Sequence, residues 1–257
     1  MKPNPSAISL FVLCLMMILF PGCKKDDTGI STFQDIQFPD ENALSWDFPV
    51  KPGSDKWKTF QTGMEMVEAC QIPKNIISSL PTEELLLICL KFPLLFDIGA
   101  FNFFSDGYAS YEKNFNGITE FYRRSDAAAV IYSYYNQLNL DDAKVYSSIF
   151  FIFRISVVEY ILSAPSIISK YSVEQRNEVA AELVSKLNLK KSQTGDFPYN
   201  YLNSTYRALI RIIKSDAEGK LSADDDKLAG SFTGIGTPPE NVIEQVEEMI
   251  RQYFARK

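Results

Sequence analysis

Apolar residues recur every three or four positions along most of the chain, which is the spacing of one face of an α-helix. The first such stripe is predicted to lie on a single helix and consists of Trp57, Phe60, Met64 and Val67. No stretch shows the sustained alternation of apolar and polar residues that is typical of a strand between hairpin turns. No repeat with a period of about 30 to 45 residues is visible either. The pattern predicts an all-α fold, an orthogonal bundle of about eight helices with no regular solenoid repeat.

Local signals predict where several of these helices begin and end. Thr82 has the character of an N-cap, and Pro93 stops the apolar run that follows it. Ser172 and Gln175 have the spacing of a capping box, in which each side chain bonds the other residue's backbone. They predict a helix over residues 173–189.

The most apolar predicted helix is expected to run through the core. Asp141 is predicted to cap it, and the helix extends over residues 142–162. From Ile149 to Leu162 only Arg154, Ser156 and Glu159 are polar. Because the two charged residues are about 140° apart around the helix, they cannot pair with each other. Each is expected to reach a partner elsewhere, as an ion pair between neighbouring helices.

An apolar run at residues 8–20 precedes a cysteine. At 1.5 Å per residue the run spans about 20 Å, which is too short for the roughly 30 Å hydrocarbon core but typical of a signal peptide. The sequence Pro21-Gly22-Cys23 that follows resembles the lipobox of bacterial lipoproteins. The resemblance implies removal of residues 1–22 and acylation of Cys23, which attaches the protein to the membrane. An ordinary secreted protein or an uncleaved anchor is the alternative.

The charges after Cys23 extend this resemblance. Residues 23–27, Cys-Lys-Lys-Asp-Asp, are similar to the export signal of surface lipoproteins in Bacteroidota. This similarity implies a lipid-anchored protein of the outer membrane, exposed at the cell surface. A solvated tether on a lipoprotein of the periplasm-facing leaflet is the alternative. The resemblance implies a location and no activity.

Proline and small residues divide the remaining chain. Residues 23–53 lack a clear period and are predicted to be a tether and an irregular segment, with aromatic residues attaching it to the domain. Residues 54–257 are predicted to form a single all-α domain. Because 46% of all residues are hydrophobic, this domain can bury a substantial core.

Charge and composition exclude several classes of function. Without residues 1–22, 25 basic and 32 acidic residues remain, a formal charge of −7, whereas a nucleic-acid binder needs a basic face. The sequence contains no histidine, which removes histidine-based triads and zinc sites. Glycine patterns for phosphate or dinucleotide binding are also absent, so no cofactor is expected.

Two cysteines lie in the predicted domain. Cys70 and Cys89 are nineteen residues apart, and in an exported protein such a pair suggests a disulfide across a helix–turn–helix. Closing a loop of that size would stabilise the protein by about 3 kcal/mol in the chain-entropy model. The alternative is two buried thiols that pack as small hydrophobic side chains.

Two glutamates are weak candidates for catalysis. Glu159 on the predicted core helix is expected to be buried, and burial favours the protonated form that a general acid needs. Glu120 is the second candidate, but Arg123 and Arg124 at helical spacing indicate a set of structural ion pairs. For both residues the structural interpretation competes with the catalytic one.

Aromatic residues are dense between residues 92 and 122. Rings at this density mostly fill cores, but some can line a groove and stack on sugars or peptides. The weak candidates for ligand binding are Phe101, Phe103, Phe104 and Tyr108.

An acidic stretch resembles a calcium-binding EF-hand loop over twelve residues. Asp216, Glu218 and Asp225 stand at ligand positions. Lys214, however, occupies the first ligand position, where a carboxylate is needed. The sequence therefore predicts a solvated acidic turn, and no metal is expected.

Two functions remain compatible with these observations. The first is a non-enzymatic, surface-anchored module that binds a glycan, a peptide or a protein partner of the envelope. The second is a carboxylate-based glycan hydrolase or lyase with a buried glutamate. A cleft lined by exposed aromatic rings would favour the first, and a cleft with a buried carboxylate at its floor would favour the second.

Overall fold

The all-α fold is confirmed. A computed structural model describes residues 32–144, 148–193, 199–215, 219–233 and 236–256, which contain no strand. The α-helices in these ranges are α1 (Asp55–Lys58), α2 (Gly63–Ala69), α3 (Lys74–Ile77), α4 (Thr82–Leu90), α5 (Phe104–Asn114), α6 (Asn116–Arg123), α7 (Ala127–Gln137), α8 (Ser148–Leu162), α9 (Pro165–Ile168), α10 (Val173–Ser192), α11 (Asn203–Lys214), α12 (Ala223–Gly230) and α13 (Glu240–Ala255). Three 3₁₀ segments cover Leu95–Ala100, Leu140–Lys144 and Tyr199–Leu202. The helices outnumber the predicted eight because several are only one turn long.

The first predicted helix is two helices. The side chain of Thr62 accepts a hydrogen bond from the backbone of Glu65, whose carboxylate bonds back to Thr62, and this capping box starts α2. The chain therefore leaves the helical path after Lys58 and starts again at Gly63. Met64, expected on the buried stripe, is 57% exposed.

Two of the predicted helix starts have different outcomes. The prediction for Thr82 is wrong: Pro81 is the N-cap residue of α4, and the hydroxyl of Thr82 donates to Asp126 Oδ1 at 2.9 Å, at the start of α7. The capping box of Ser172 and Gln175 is confirmed. It starts α10, which runs on to Ser192.

Helix α8 enters the core after its first turn. Asp141 does not cap it, because this residue lies in the 3₁₀ segment Leu140–Lys144. Ile149 is 57% exposed, whereas Ile152 is 2% exposed, and almost all later residues of the helix are buried. No helix in the described ranges is long and apolar enough to cross a membrane.

Residues 32–53 are part of the domain. The compact unit extends from Thr32 to Lys257, so its boundary lies before the predicted residue 54. The cause is aromatic packing. Phe33 stacks on Tyr132 with ring centroids 4.1 Å apart, and Phe48 is 4% exposed and contacts Phe92 and Phe115. These contacts confirm that aromatic residues attach the irregular segment to the helices.

The disulfide prediction is not met. Cys70 and Cys89 are free thiols, and both are buried. Burial raises the pKa of Cys70 to about 11, and it raises that of Cys89 further. The alternative interpretation is therefore the right one: the two thiols pack as apolar side chains, and neither is activated as a nucleophile.

The exposure difference along α8 leads to a stability prediction. Ile152→Ala should lower the free energy of unfolding by about 2–5 kcal/mol, because it removes buried methylene groups and leaves a cavity. Ile149→Ala makes the same chemical change one turn earlier, at an exposed position, and should change it by less than about 0.5 kcal/mol. Urea denaturation of both variants measures the difference. Equal losses would contradict the position of α8.

Candidate functional site

A groove of about 620 Å³ lies between the irregular segment, α4, α7 and α8. We call it the aromatic groove, and its lining includes Phe96, Tyr134, Phe150 and Phe151. It is larger than two other cavities of the molecule, of about 280 and 150 Å³. Volumes of this size are typical of sites for small ligands.

Two phenylalanines form the exposed rim of the groove. Phe96 lies in the 3₁₀ segment after α4 and is 46% exposed, and Phe150 lies in the first turn of α8 and is 53% exposed. Their rings meet edge to face, with centroids 4.7 Å apart and an interplanar angle of 80°. Phe96 also contacts Phe153, whose side chain is buried. The rim therefore rests on the core while it presents apolar surface to solvent.

An ion pair lies within the groove. Arg154 donates two hydrogen bonds to the carboxylate of Glu41, at 2.5 and 3.1 Å, and its guanidinium lies 5.7 Å from the ring centroid of Tyr134. Its Nε is buried, with no hydrogen-bond partner in the part of the chain that the structure describes. Burial by itself lowers the pKa of Arg154, but Tyr134 and Glu41 outweigh it and the pKa is raised. Arg154 therefore stays charged, but its Nε is shielded from the groove.

Glu159 lies in a different place, inside the bundle. It is fully buried and pairs with Lys190 of α10, whose Nζ is 2.8 Å from Oε1. The hydroxyls of Tyr135 on α7 and Thr205 on α11 each donate to the same oxygen at 2.9 Å, and Ser204 donates to Oε2. Burial and the Glu159 carboxylate together raise the pKa of Tyr135 well above its usual value. We call these five residues the buried ion-pair cluster.

The two charges predicted to need distant partners both have them. Arg154 pairs with Glu41 across 113 residues of sequence, and Glu159 pairs with Lys190. The predicted ion pair between neighbouring helices is confirmed for Glu159, whereas the partner of Arg154 lies in the irregular segment. Glu159 does not line the aromatic groove.

The aromatic residues predicted to bind a ligand are not brought together. Phe101 and Phe103 are 41% and 50% exposed, while Tyr108 is buried and its hydroxyl is 2.6 Å from that of Tyr122. Phe104 packs partly buried against the core and lines the smallest of the three cavities. The start of α5 at Phe104 separates them, because it turns the following residues into the bundle.

The remaining predicted sites have structural roles or lie outside the described residues. Glu120 pairs with Arg124 at 2.9 Å, one helical turn away. Asp225 lies 3.7 Å from Lys214, so the lysine faces the predicted metal ligand. The described residues contain no cluster of three metal-ligating side chains. Asp216, Glu218 and Cys23 lie outside the described ranges.

No protein-family model, curated protein or solved structure matches the chain. Phe96, Phe150 and Glu41, which line the aromatic groove, were not predicted as site residues from the sequence. For Phe150 the available signal was its place in the first turn of α8, where an apolar residue precedes the buried part of the helix. For Glu41 the signal was the unpaired charge of Arg154, which required a partner of opposite sign.

The buried ion-pair cluster leads to a second stability prediction. Lys190→Met should lower the free energy of unfolding by about 3–5 kcal/mol, because it leaves the carboxylate of Glu159 buried without its counter-charge. Lys58→Met is the matched control, since Lys58 forms an exposed pair with Asp55 and should contribute less than about 1 kcal/mol.

The double variant Glu159→Leu/Lys190→Met completes this experiment. Removing both charges avoids the uncompensated carboxylate, so the double variant should lose less stability than the sum of the two single variants. Thermal and urea unfolding of the wild type, Glu159→Leu, Lys190→Met and the double variant gives the coupling energy. Additive losses would show that the two residues do not interact.

Proposed function

We propose that the protein is a non-enzymatic, lipid-anchored protein of the outer-membrane surface that binds a glycan, a peptide or an envelope partner in the aromatic groove. The observation that supports binding is the pair of exposed rings, Phe96 and Phe150, above the half-buried ion pair of Arg154 and Glu41. The two rings contact each other edge to face, and about half of each residue is still exposed, so a ligand can cover that apolar surface without breaking their contact.

The chemistry of the groove suits a ligand with both apolar and polar surface. The face of a sugar ring or an apolar side chain can stack on the two phenylalanines. Arg154 and Glu41 are both partly exposed. The terminal N–H groups of Arg154 that do not bond Glu41 can donate to a hydroxyl or carbonyl oxygen, and the carboxylate of Glu41 can accept from a hydroxyl or amide. Arg154 and Glu41 neutralise each other, and Asp142, which also lines the groove, leaves one net negative charge that disfavours an anionic ligand.

The competing function is a glycan hydrolase or lyase that uses Glu159. A general acid must reach the reacting atoms within about 3 Å or through one water molecule. Glu159 is fully buried, and its two oxygens accept hydrogen bonds from four side chains of the cluster. This geometry supports the binding module over the enzyme.

The proposed location rests on the sequence. The lipobox resemblance at Cys23 supports anchoring by acyl chains, and the charges of residues 24–27 support display at the cell surface. The acidic net charge is consistent with no role in binding nucleic acid.

The first test is binding with matched phenylalanine variants. Labelled protein is screened on arrays of glycans and peptides, and the dissociation constant of each hit is measured in solution. Phe150→Ala should weaken binding about tenfold, which is a typical loss for an aromatic contact. Phe103→Ala removes an equally exposed ring outside the groove and should leave the constant unchanged.

Two results would contradict this proposal. One is an effect of Phe103→Ala as large as that of Phe150→Ala, which would place the ligand elsewhere. The other is time-dependent cleavage of a bound glycan by the wild-type protein that is lost in Glu159→Gln while the fold is retained. That second result would establish the competing enzyme.

Lipidation is tested separately by mass spectrometry. The protein isolated from membranes should begin at Cys23 and carry two or three acyl chains, since one chain alone holds only marginally. Cys23→Ser should release the protein from the membrane fraction. Cys14→Ser is the matched control and should leave anchoring intact. An unmodified Cys23 in membrane-bound protein would contradict the anchor.

A further inference from the structure

A second cavity, separate from the aromatic groove, lies among α5, α8 and α11. It has a volume of about 150 Å³, and its walls carry the rings of Phe104, Phe153, Tyr160, Tyr201 and Phe232. Cavities of this size in proteins hold a single six-membered ring. Phe153 stands between the two sites, because its ring contacts Phe96 of the groove and Phe104 of the cavity. We call this space the inner cavity.

Two hydroxyl groups of the inner cavity, those of Ser156 and Ser204, lie within hydrogen-bond distance of each other and retain lone pairs for a ligand. Ser204 has one hydroxyl proton, and its shortest hydrogen bond, of 2.5 Å, is to the carboxylate of Glu159. Ser156 bonds the carbonyl oxygen of Ile152 at 3.2 Å. The two serine oxygens lie 3.2 Å apart and both line the cavity. With both protons engaged, each oxygen offers lone pairs to a donor from a ligand.

Tyr160 adds an unsatisfied group. The residue is 2% exposed, and its hydroxyl has no hydrogen-bond partner within the described ranges. Its ring is held between Phe104, at 4.8 Å, and the guanidinium of Arg207, at 4.0 Å. Because the hydroxyl oxygen is itself buried, Tyr160 contributes its ring to the wall of the inner cavity.

The walls also restrict the charge of an occupant. None of the residues that line the inner cavity is acidic or basic, and burying an isolated charge there would be strongly unfavourable. Glu159 lies behind Ser204, but Lys190 neutralises it. We propose that the inner cavity binds a neutral molecule with a single ring and a hydroxyl group that donates to Ser204 or Ser156. This site is independent of the function proposed for the aromatic groove.

The experiment compares phenol with benzene, which has the same ring without the hydroxyl. NMR titration of the purified protein should show saturable binding of phenol in the millimolar range, as expected for a ligand this small. Benzene should bind about tenfold more weakly, because it offers no donor. Ser204→Ala should remove most of that difference.

A matched pair of glycine variants locates the binding. Gly99 lines the inner cavity, and an added Cβ would lie 3.3 Å from the ring of Phe153, so Gly99→Ala should weaken phenol and benzene at least about tenfold. Gly230→Ala adds the same methyl group where nothing lies within 4 Å, and it should change neither constant. This pair decides the question if Ser204→Ala fails to fold.

Three results would overturn the proposal. The first is the absence of saturable phenol binding, with the inner cavity occupied by ordered water only. The second is equal affinity for phenol and benzene in the wild-type protein, since the serine oxygens would then contribute nothing. The third is phenol binding that Gly99→Ala leaves unchanged, which would place the ligand at another site.

Discussion

The arrangement of the bundle depends on one carboxylate that has no contact with water. Glu159 needs a counter-charge and several donors at once, and α7, α10 and α11 each supply at least one of them. A misplaced donor would leave a buried charge uncompensated. The cluster therefore restricts both the rotation of α8 about its axis and its position along that axis. That restriction determines which side of α8 faces solvent, and so it places Phe150 and Arg154 in the aromatic groove and Ser156 at the inner cavity.

The burial of α8 could be predicted from the sequence, but the residues that pack around it could not. The apolar run predicted a buried helix, and the angle between Arg154 and Glu159 correctly required separate partners for the two charges. It did not identify those partners. Glu41 is 113 residues from Arg154, and Lys190 is 31 residues from Glu159. Periodicity describes neighbours within a few turns, whereas these pairs are formed by the folding of the whole chain.

The aromatic groove was harder to predict for a different reason. A hydrophobic pattern assigns every apolar residue to the core. Whether a ring is buried or exposed depends on which other segments pack over it, and the pattern does not show this. The dense aromatic stretch at residues 101–108 attracted the prediction, yet α5 buries Tyr108 there. Phe96 and Phe150 come from separate segments and meet only in the folded protein. The prediction that Thr82 is an N-cap failed for a similar reason. Its hydroxyl bonds Asp126, a distant residue, instead of the backbone of its own helix.

The irregular segment at residues 32–53 also affects the order of folding. Its residues contact parts of the chain that come much later in the sequence. Thr32 bonds Glu178, 146 residues further on, and Glu41 pairs with Arg154, 113 residues further on. The ring of Phe33 likewise contacts Tyr132 and Tyr171, about 100 and 140 residues later, whereas that of Phe48 contacts the nearer Phe92 and Phe115. Long loops must close before these contacts form, which slows folding and prolongs the exposure of apolar surface that can aggregate. The wall of the aromatic groove that Glu41 forms is thus completed only after a loop of 113 residues has closed.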